Sequence, residues 1–324
     1  MNRRHRYAFA TAAAIWTCCA AQPAIAQLPD LVELSAQYMP GVPVEDPRPA
    51  RAQVASYDAS FNVPIALGQR TFLIPGLVYH AEAISFSQVP AEFIELREFH
   101  SLETSFLFVQ LLPEGWSISL RLAPGIAGDF AAFDSGMLRL STVAMATKAF
   151  SERFVLGGGA IASYAFGTLL PLPMVYLDWT PTRYFRLETS IPAFLNAKFT
   201  VWDRVEIGAR AEVAGNAYAV RDSRIRSAWP CAAGIDDQVA NEPVEIPAEP
   251  AECFDHMAYS VASAGAVVGV RLFSSVWLNA FVGHSFYRRF EQMNEFDERI
   301  TGGVQDLPNT LLIRAGLTFR IPRE

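Results

Sequence analysis

Hydrophobic and polar residues alternate almost without a break from Arg204 to Val220, RVEIGARAEVAGNAYAV. Even positions carry Arg204, Glu206, Arg210, Glu212 and Asn216, and odd positions carry Val205, Ile207, Ala209, Ala211, Val213, Ala217 and Ala219. A period of two puts one set on each face of a strand. The run is far longer than the usual strand of about five or six residues. One charged face and one face of small or branched apolar groups suit a strand with lipid on one side and a polar lumen on the other. A soluble sandwich also alternates, so the rest of the chain has to decide.

Strand-like runs recur near 31–39, 51–66, 71–86, 98–111, 116–126, 137–148, 154–164, 171–179, 184–191, 194–201, 204–220, 257–272, 276–289 and 309–321. The connections sort into two kinds. Short ones fall at 67–70, 112–115, 149–153, 180–183, 202–203 and 273–275, and longer ones at 88–97, 125–136, 165–170, 222–255 and 289–308. Short turns at one end and longer loops at the other are the layout of an outer-membrane barrel. The expected fold is an all-β, antiparallel, up-and-down transmembrane β-barrel of about 14 strands, with 12 as the second choice, since single-chain bacterial barrels have even counts. Residues 27–50 are an N-terminal strand or, given Pro40, Pro43, Pro47 and Pro49, an arm or lumen plug, and 51–324 form the barrel. The apolar run Gly157–Leu177 is broken by glycines and by Pro171 and Pro173, so it reads as two strands rather than a membrane helix.

Several strands declare their faces. Ser117, Ser119 and Arg121 oppose Trp116, Ile118, Leu120 and Leu122, while Arg186 and Glu188 oppose Phe185 and Leu187. In the last strand Arg314, Gly316, Thr318 and Arg320 oppose Leu311, Ile313, Ala315, Leu317 and Phe319. Trp116, Trp179, Tyr184, Trp202 and Trp277 sit beside short turns, where an interfacial aromatic girdle belongs.

The N-terminus supplies an address. Arg3, Arg4 and Arg6 precede an apolar run, Ala8–Ala21, and Ala24-Ile25-Ala26 is a small-x-small cleavage site before Gln27. This is the plan of a cleaved signal peptide over residues 1–26. Cys18 and Cys19 raise a lipoprotein reading, but Ile15-Trp16-Thr17 is a poor lipobox. Removing Met1–Ala26 takes three arginines and no acid, so the formal charge falls from −7 to −10. That charge speaks against nucleic acid as a partner. Cys231 and Cys253 then remain, both in the proline-rich, acidic segment 222–255. In an exported chain they read as a disulfide closing that loop. No zinc-like spacing is present, a calcium site on the loop acids lacks an EF-hand pattern, and neither a metal nor a cofactor is expected.

The end of the chain adds a resemblance. Arg314-x-Gly316-x-x-Phe319-x-Ile321 resembles the C-terminal signal that barrel-assembly machinery reads in outer-membrane proteins, although Pro322, Arg323 and Glu324 follow it. Residues 27–324 thus resemble a bacterial outer-membrane β-barrel of a family without assigned function. The resemblance implies outer-membrane lipid as surroundings, barrel-assembly machinery and periplasmic chaperones as partners in biogenesis, and a Gram-negative outer membrane as location. It brings no catalytic residues.

Chemistry inside the barrel reads thinly. A lipid hydrolase would need a serine, a base and an orienting acid at one place. His284 and Ser285 are adjacent and so face opposite sides without a bulge. His80 and Glu82 share a face but have no serine beside them, and His100 and His256 lie near loop boundaries and read as solvated. The lumen-facing polar set is His80, Glu82, Arg121, Arg186, Glu188, Lys198, Arg204, Glu206, Arg210, Glu212 and Arg314. Its mixed signs read first as a paired network that narrows the lumen, and second as a solute path. The leading functional expectation is a passive channel or transporter for an unknown small solute, hydrophobic compounds included. The alternative is a closed structural or surface-binding barrel acting through the 222–255 loop, and a lipid hydrolase comes last.

Overall fold

The computed structural model describes residues 29–44, 50–87, 96–164, 169–222, 254–294 and 297–320. They form a closed antiparallel barrel of 14 strands. In chain order the strands are β1 Val32–Val44, β2 Ala50–Asn62, β3 Thr71–Ser87, β4 Leu96–Leu111, β5 Trp116–Gly128, β6 Leu138–Ser151 and β7 Phe154–Ser163. They continue as β8 Leu170–Thr182, β9 Phe185–Ile191, β10 Phe194–Val201, β11 Val205–Ala219, β12 His256–Arg271, β13 Val276–Met293 and β14 Leu311–Phe319. Each strand pairs with its neighbours in sequence, and β1 closes the ring on β14 from Val32↔Phe319 to Tyr38↔Ile313. Closure removes the edges of the 14-strand ring, and with them the unpaired backbone groups that hydrocarbon cannot satisfy.

The period-two pattern sets the faces. Leu34, Tyr57, Leu77, Phe106, Leu120, Phe199, Ile207 and Ile313 point outward and are exposed, while Gln37, Ser56, Glu82, Ser105, Ser119, Asn196 and Glu212 point inward and are buried. Among the described residues no helix is long and apolar enough to cross a membrane.

Three details depart from the pattern read along the chain. Val32–Val44 runs on through Pro40 and Pro43 as a wall strand, with a register shift between Met39 and Val42. Proline has no N–H for the ladder, and a bulge absorbs the missing bond. The run 51–66 ends at Asn62, and Ile65–Ala66 is a separate two-residue strand on β3. The region 289–308 is not all loop: β13 continues to Met293, and Arg299–Asp306 pairs with it outside the ring.

The connections sort by end with one exception. The turn at 67–70, closed by the Ile65–Ala66 pairing, and the links at 112–115, 152–153, 183–184, 202–204 and 272–275 form the turn end, together with Val32 of β1 and Phe319 of β14, and most of the longer links form the loop end. The β9–β10 link is only Pro192-Ala193, yet it lies at the loop end. These two strands have 7 and 8 residues, against 16 and 18 in β12 and β13. The wall is therefore low at β9–β10 and high at β12–β13.

The tall strands do not simply stand up at the loop end. The end of β11 crosses the mouth to meet β5, where Ala219 pairs with Gly128 in parallel. Inward-facing Tyr218 packs on Phe99 of β4, with ring centroids 5.2 Å apart. On the other side of the same strand end, the Ala217 carbonyl accepts from Arg139 Nε of β6 at 3.3 Å. The ends of β11, β12 and β13 thus fold into the barrel.

Candidate functional site

The lumen divides into two regions of opposite chemistry. Toward the turn end it is lined by paired charges. Arg186 donates from Nε and Nη2 to the two oxygens of Asp178 at 3.0 and 2.8 Å, and its Nη2 lies 3.4 Å from Glu188. Lys198 Nζ and Arg320 Nη1 both donate to Glu206 Oε2, at 3.3 and 3.1 Å. Arg210 Nε is 2.7 Å from Glu212, which also accepts from Arg314, and Arg314 Nε donates to Gln37 at 3.0 Å. Arg121 sits 3.7 Å from Glu103. These side chains keep 17–36% exposure in the Arg210, Arg314, Arg320, Lys198 and Glu206 positions, so water reaches them.

Glycines make the longer pairs possible. Arg314 and Arg320 belong to β14 and its extension, whereas Glu212 and Glu206 belong to β11, with two strands between them. The lumen faces of β12 and β13 between them carry Gly265, Gly269 and Gly283. A Cβ added at Gly265 would stand 2.3 Å from the Gly283 Cα. With no side chains there, the guanidinium groups lie across the wall and reach the acids.

The middle of the lumen holds His80 and Glu82. They share a face, but each has its own partner. His80 Nδ1 is 2.6 Å from Asp58, which also accepts from Ser35 Oγ at 3.1 Å. Glu82 accepts from the Tyr218 hydroxyl at 3.1 Å. Above them the lumen turns apolar. Met39, Val54, Ile84, Phe99, Tyr218, Val220, Phe254, Tyr259, Phe290, Leu307 and Leu312 form one buried cluster. It joins β1–β4 to the infolded ends of β11–β13 and fills the mouth.

A set of polar contacts holds the infolded ends in place. Arg221, just past β11, donates from Nη2 to Asp134 at 3.0 Å and from Nη1 to Asp255 at 2.9 Å. Asp129 accepts the backbone N–H of Arg221 and of Asp222, both at 2.7 Å. The His256 ring spans the Gly136 carbonyl at 2.9 Å and the Asn294 carbonyl at 3.1 Å. Three connections, β5–β6, β11–β12 and β13–β14, are tied together at this point. The Arg221 guanidinium hydrogen-bonded to Asp134 holds that carboxyl below the ordinary carboxylate range.

The expected lumen residues mostly meet inside the barrel, with corrections. Arg204 does not line the lumen: it is exposed in the β10–β11 turn, where Trp202 and Asp203 take positive φ and carry the chain off the ladder. Trp277 is no girdle residue. It faces inward at 9% exposure, packed under Arg320 at 4.6 Å. Trp116, Trp179, Tyr184 and Trp202 are exposed beside the turns, as a girdle requires. His256 is buried rather than solvated. His284 is exposed outside and Ser285 buried inside, where Ser285 bonds the Thr310 backbone. Gly316 lies against Ser35 of β1 and Phe319 faces out, as read from the last strand, while Ile321 lies outside the described residues. Cys231 and Cys253 and the signal segment 1–26 also lie outside them. Among the described residues no group of three or more His, Cys, Asp or Glu side chains is gathered for a metal.

Reading along the chain missed Asp58, Glu103, Asp178 and Arg320 as partners. Each sits at the correct parity of its strand, so facing alone would have shown that it points inward. The pairing of Arg320 with Glu206 across two intervening strands had no signal, because it depends on which distant strands the closed ring brings near each other.

Fold and lining together define a transmembrane β-barrel with an ion-paired lumen and a closed mouth. The chain belongs to the family described as a domain of unknown function, DUF6268, whose model matches residues 22–248. No curated protein matches the chain in sequence. Among solved structures it is similar to the COG4313 outer membrane channel from Pseudomonas putida F1, at 9% identity and a TM-score of 0.43, covering 90% of this chain and 97% of that one. It is also similar to the P. putida toluene transporter TodX, at 8% identity and a TM-score of 0.39, covering 94% of each chain. A third is LpxR from Salmonella typhimurium, at 10% identity and a TM-score of 0.31, covering 90% of this chain and 99% of that one. Identities and scores at this level assign no function.

Proposed function

We propose that this protein is an outer-membrane barrel that passes a small solute through a lumen gated at its loop end. The observation that carries this reading is the division of the lumen. Its turn-end half is polar and reached by water, and its loop-end half is stopped by the ends of its own wall strands. A stopper built from wall strands and held by a few ion pairs can move between two packings, as gates require. Mixed and mutually paired charges below it keep that half of the lumen wet without presenting one sign of charge to a passing solute. Export through a cleaved segment 1–26, assembly through the C-terminal signal around Gly316 and Phe319, and a Cys231–Cys253 disulfide belong to the same reading.

The mouth cluster also favours a second reading, a barrel that stays shut and works through its outer loops. Conductance separates the two. Residues 27–324, refolded and inserted in a planar lipid bilayer, should be quiet with brief openings, and Arg221→Ala should lengthen and multiply them. A folded Arg221→Ala barrel as silent as the wild type would favour the shut barrel.

A further inference from the structure

The closed mouth contains a buried guanidinium with a free donor and no acid within ion-pair distance among the described residues. Arg288 lies on β13 just beyond Phe286, the bulged residue that turns the even positions inward. It is 1% exposed and stands opposite Val261. Its Nε donates to the Tyr259 hydroxyl at 3.2 Å and its Nη1 to the Pro308 carbonyl at 3.1 Å. Its Nη2 is buried and has no hydrogen-bond partner. Among the described residues no carboxylate lies within ion-pair distance of it, and Glu82, the acid within the same mouth region, takes the Tyr218 hydroxyl.

A guanidinium does not shed its proton, so burial cannot neutralise it. Charge withdrawn from water without a hydrogen-bonded counter-charge is costly, and the acid in the same region, Glu82, interacts with Arg288 only at longer range while bonding the Tyr218 hydroxyl. The chemistry that completes the site is an anion with two coplanar oxygens, which matches the guanidinium fork. What surrounds the fork is apolar or aromatic: Tyr259 and Phe290, whose rings lie 4.8 Å apart, with Met39 and Leu307 in the same cluster. The rest of the ligand must therefore be apolar as well.

We infer that the mouth of the barrel binds an apolar monocarboxylic acid, with its carboxylate on Arg288 and its hydrocarbon body among Tyr259, Phe290, Met39 and Leu307. The inference rests on the solute-passage reading and gives that solute a class. The body enters by displacing side-chain contacts within the cluster, so occupancy of the site loosens the packing that stops the lumen.

The test is isothermal titration of the refolded chain, held in zwitterionic lipid nanodiscs, with octanoate, octanol and inorganic phosphate. Saturable octanoate binding at least tenfold tighter than octanol is expected. Arg288→Met should weaken octanoate at least tenfold and bring acid and alcohol level. Arg288→Lys, which keeps the charge and loses the fork, should fall between. Tyr259→Phe keeps the ring and removes the hydroxyl that orients Arg288, and should also weaken the acid if Arg288→Met does not fold. Arg183→Gln, in the β8–β9 turn, should change nothing. Equal binding of octanoate and octanol, or octanoate binding untouched in a folded Arg288→Met barrel, would overturn the inference. So would phosphate binding as tightly as octanoate, which would make the site one for a phosphate headgroup. Binding without any conductance sinks solute passage and leaves the site standing, whereas conductance without acid binding does the reverse.

Discussion

The turn-end and loop-end halves of this lumen are filled in different ways, and the difference follows from width. A ring of about eight strands can be packed by its own side chains, but 14 strands enclose too much space. At the turn end, arginines laid across Gly265, Gly269 and Gly283 reach their acids and leave water between them. At the loop end the wall itself bends in, because apolar side chains need direct contact to exclude water. Charge can span a wide lumen, and hydrophobic packing can only shrink it.

The sharpest way to break that contrast is to remove a side chain from the packed half. Tyr259→Ala deletes a fully buried ring between Phe290 and Met39 and also strips Arg288 of a partner. A cost of about 3–5 kcal/mol is expected, as for aromatic truncation in a core. Denaturant unfolding in detergent checks it. A loss below about 1 kcal/mol would mean the mouth is loosely filled and is no stopper.

The same truncation logic applied to the paired half predicts less. Glu212 serves both Arg210 and Arg314, so Glu212→Ala leaves two guanidinium groups without their acid. Breaking a buried pair costs about 3–5 kcal/mol, but lumen water resolvates the arginines, so about 2 kcal/mol is expected. Ion selectivity in a bilayer should shift toward anions at the same time. An unfolding curve identical to the wild type would show that these charges line a path without bracing it.

How far the chain could be read from its sequence follows the same division. The turn-end half obeys strict alternation, so the strands from Arg186 to Glu212 and the face of Arg314 could be read from parity alone. The loop-end half breaks the local rules. At Phe286 one extra residue reverses parity, which puts Arg288 inside although it shares even numbering with outward-facing His284. His256 is buried because a loop from the far side of the mouth lands on it, and no local pattern encodes that contact. Trp277 looked interfacial by its place beside a turn, but its odd number in β13 put it on the lumen face. Tertiary folding of strand ends decided His256, a bulge decided Arg288, and parity overlooked beside a turn decided Trp277.

Loosening the mouth without emptying it gives a smaller effect. Arg221→Ala removes the hydrogen bonds to Asp134 and Asp255 but leaves the Asp129 contacts, which are made to backbone N–H groups. About 1 kcal/mol of stability should go, in line with charge-assisted bonds at a partly exposed site. The larger change should appear in open probability, since a modest bias suffices to repopulate a gate. Protection of the Tyr218 and Ala219 amides from hydrogen exchange should drop in the same variant.

The smallest effect is one of pH, and its sign follows from Asp134. Its carboxyl is held below the ordinary value of 3.8 by the Arg221 hydrogen bond. A depressed carboxylate contributes its stabilisation in full above the unfolded value and loses it as pH falls through the folded one. The mouth contact should therefore be constant from neutral pH down to the usual carboxylate range and weaken only below it. Because Asp134 is largely exposed, the change should be slight in unfolding and visible mainly in bilayer openings. Asp134→Asn should open more often at neutral pH and lose this acid dependence. If wild type and Asp134→Asn respond alike to acid, the pH-sensitive tie lies elsewhere among the contacts of the three connections, and Asp134 only caps the turn at Gly136 that its side chain already bonds.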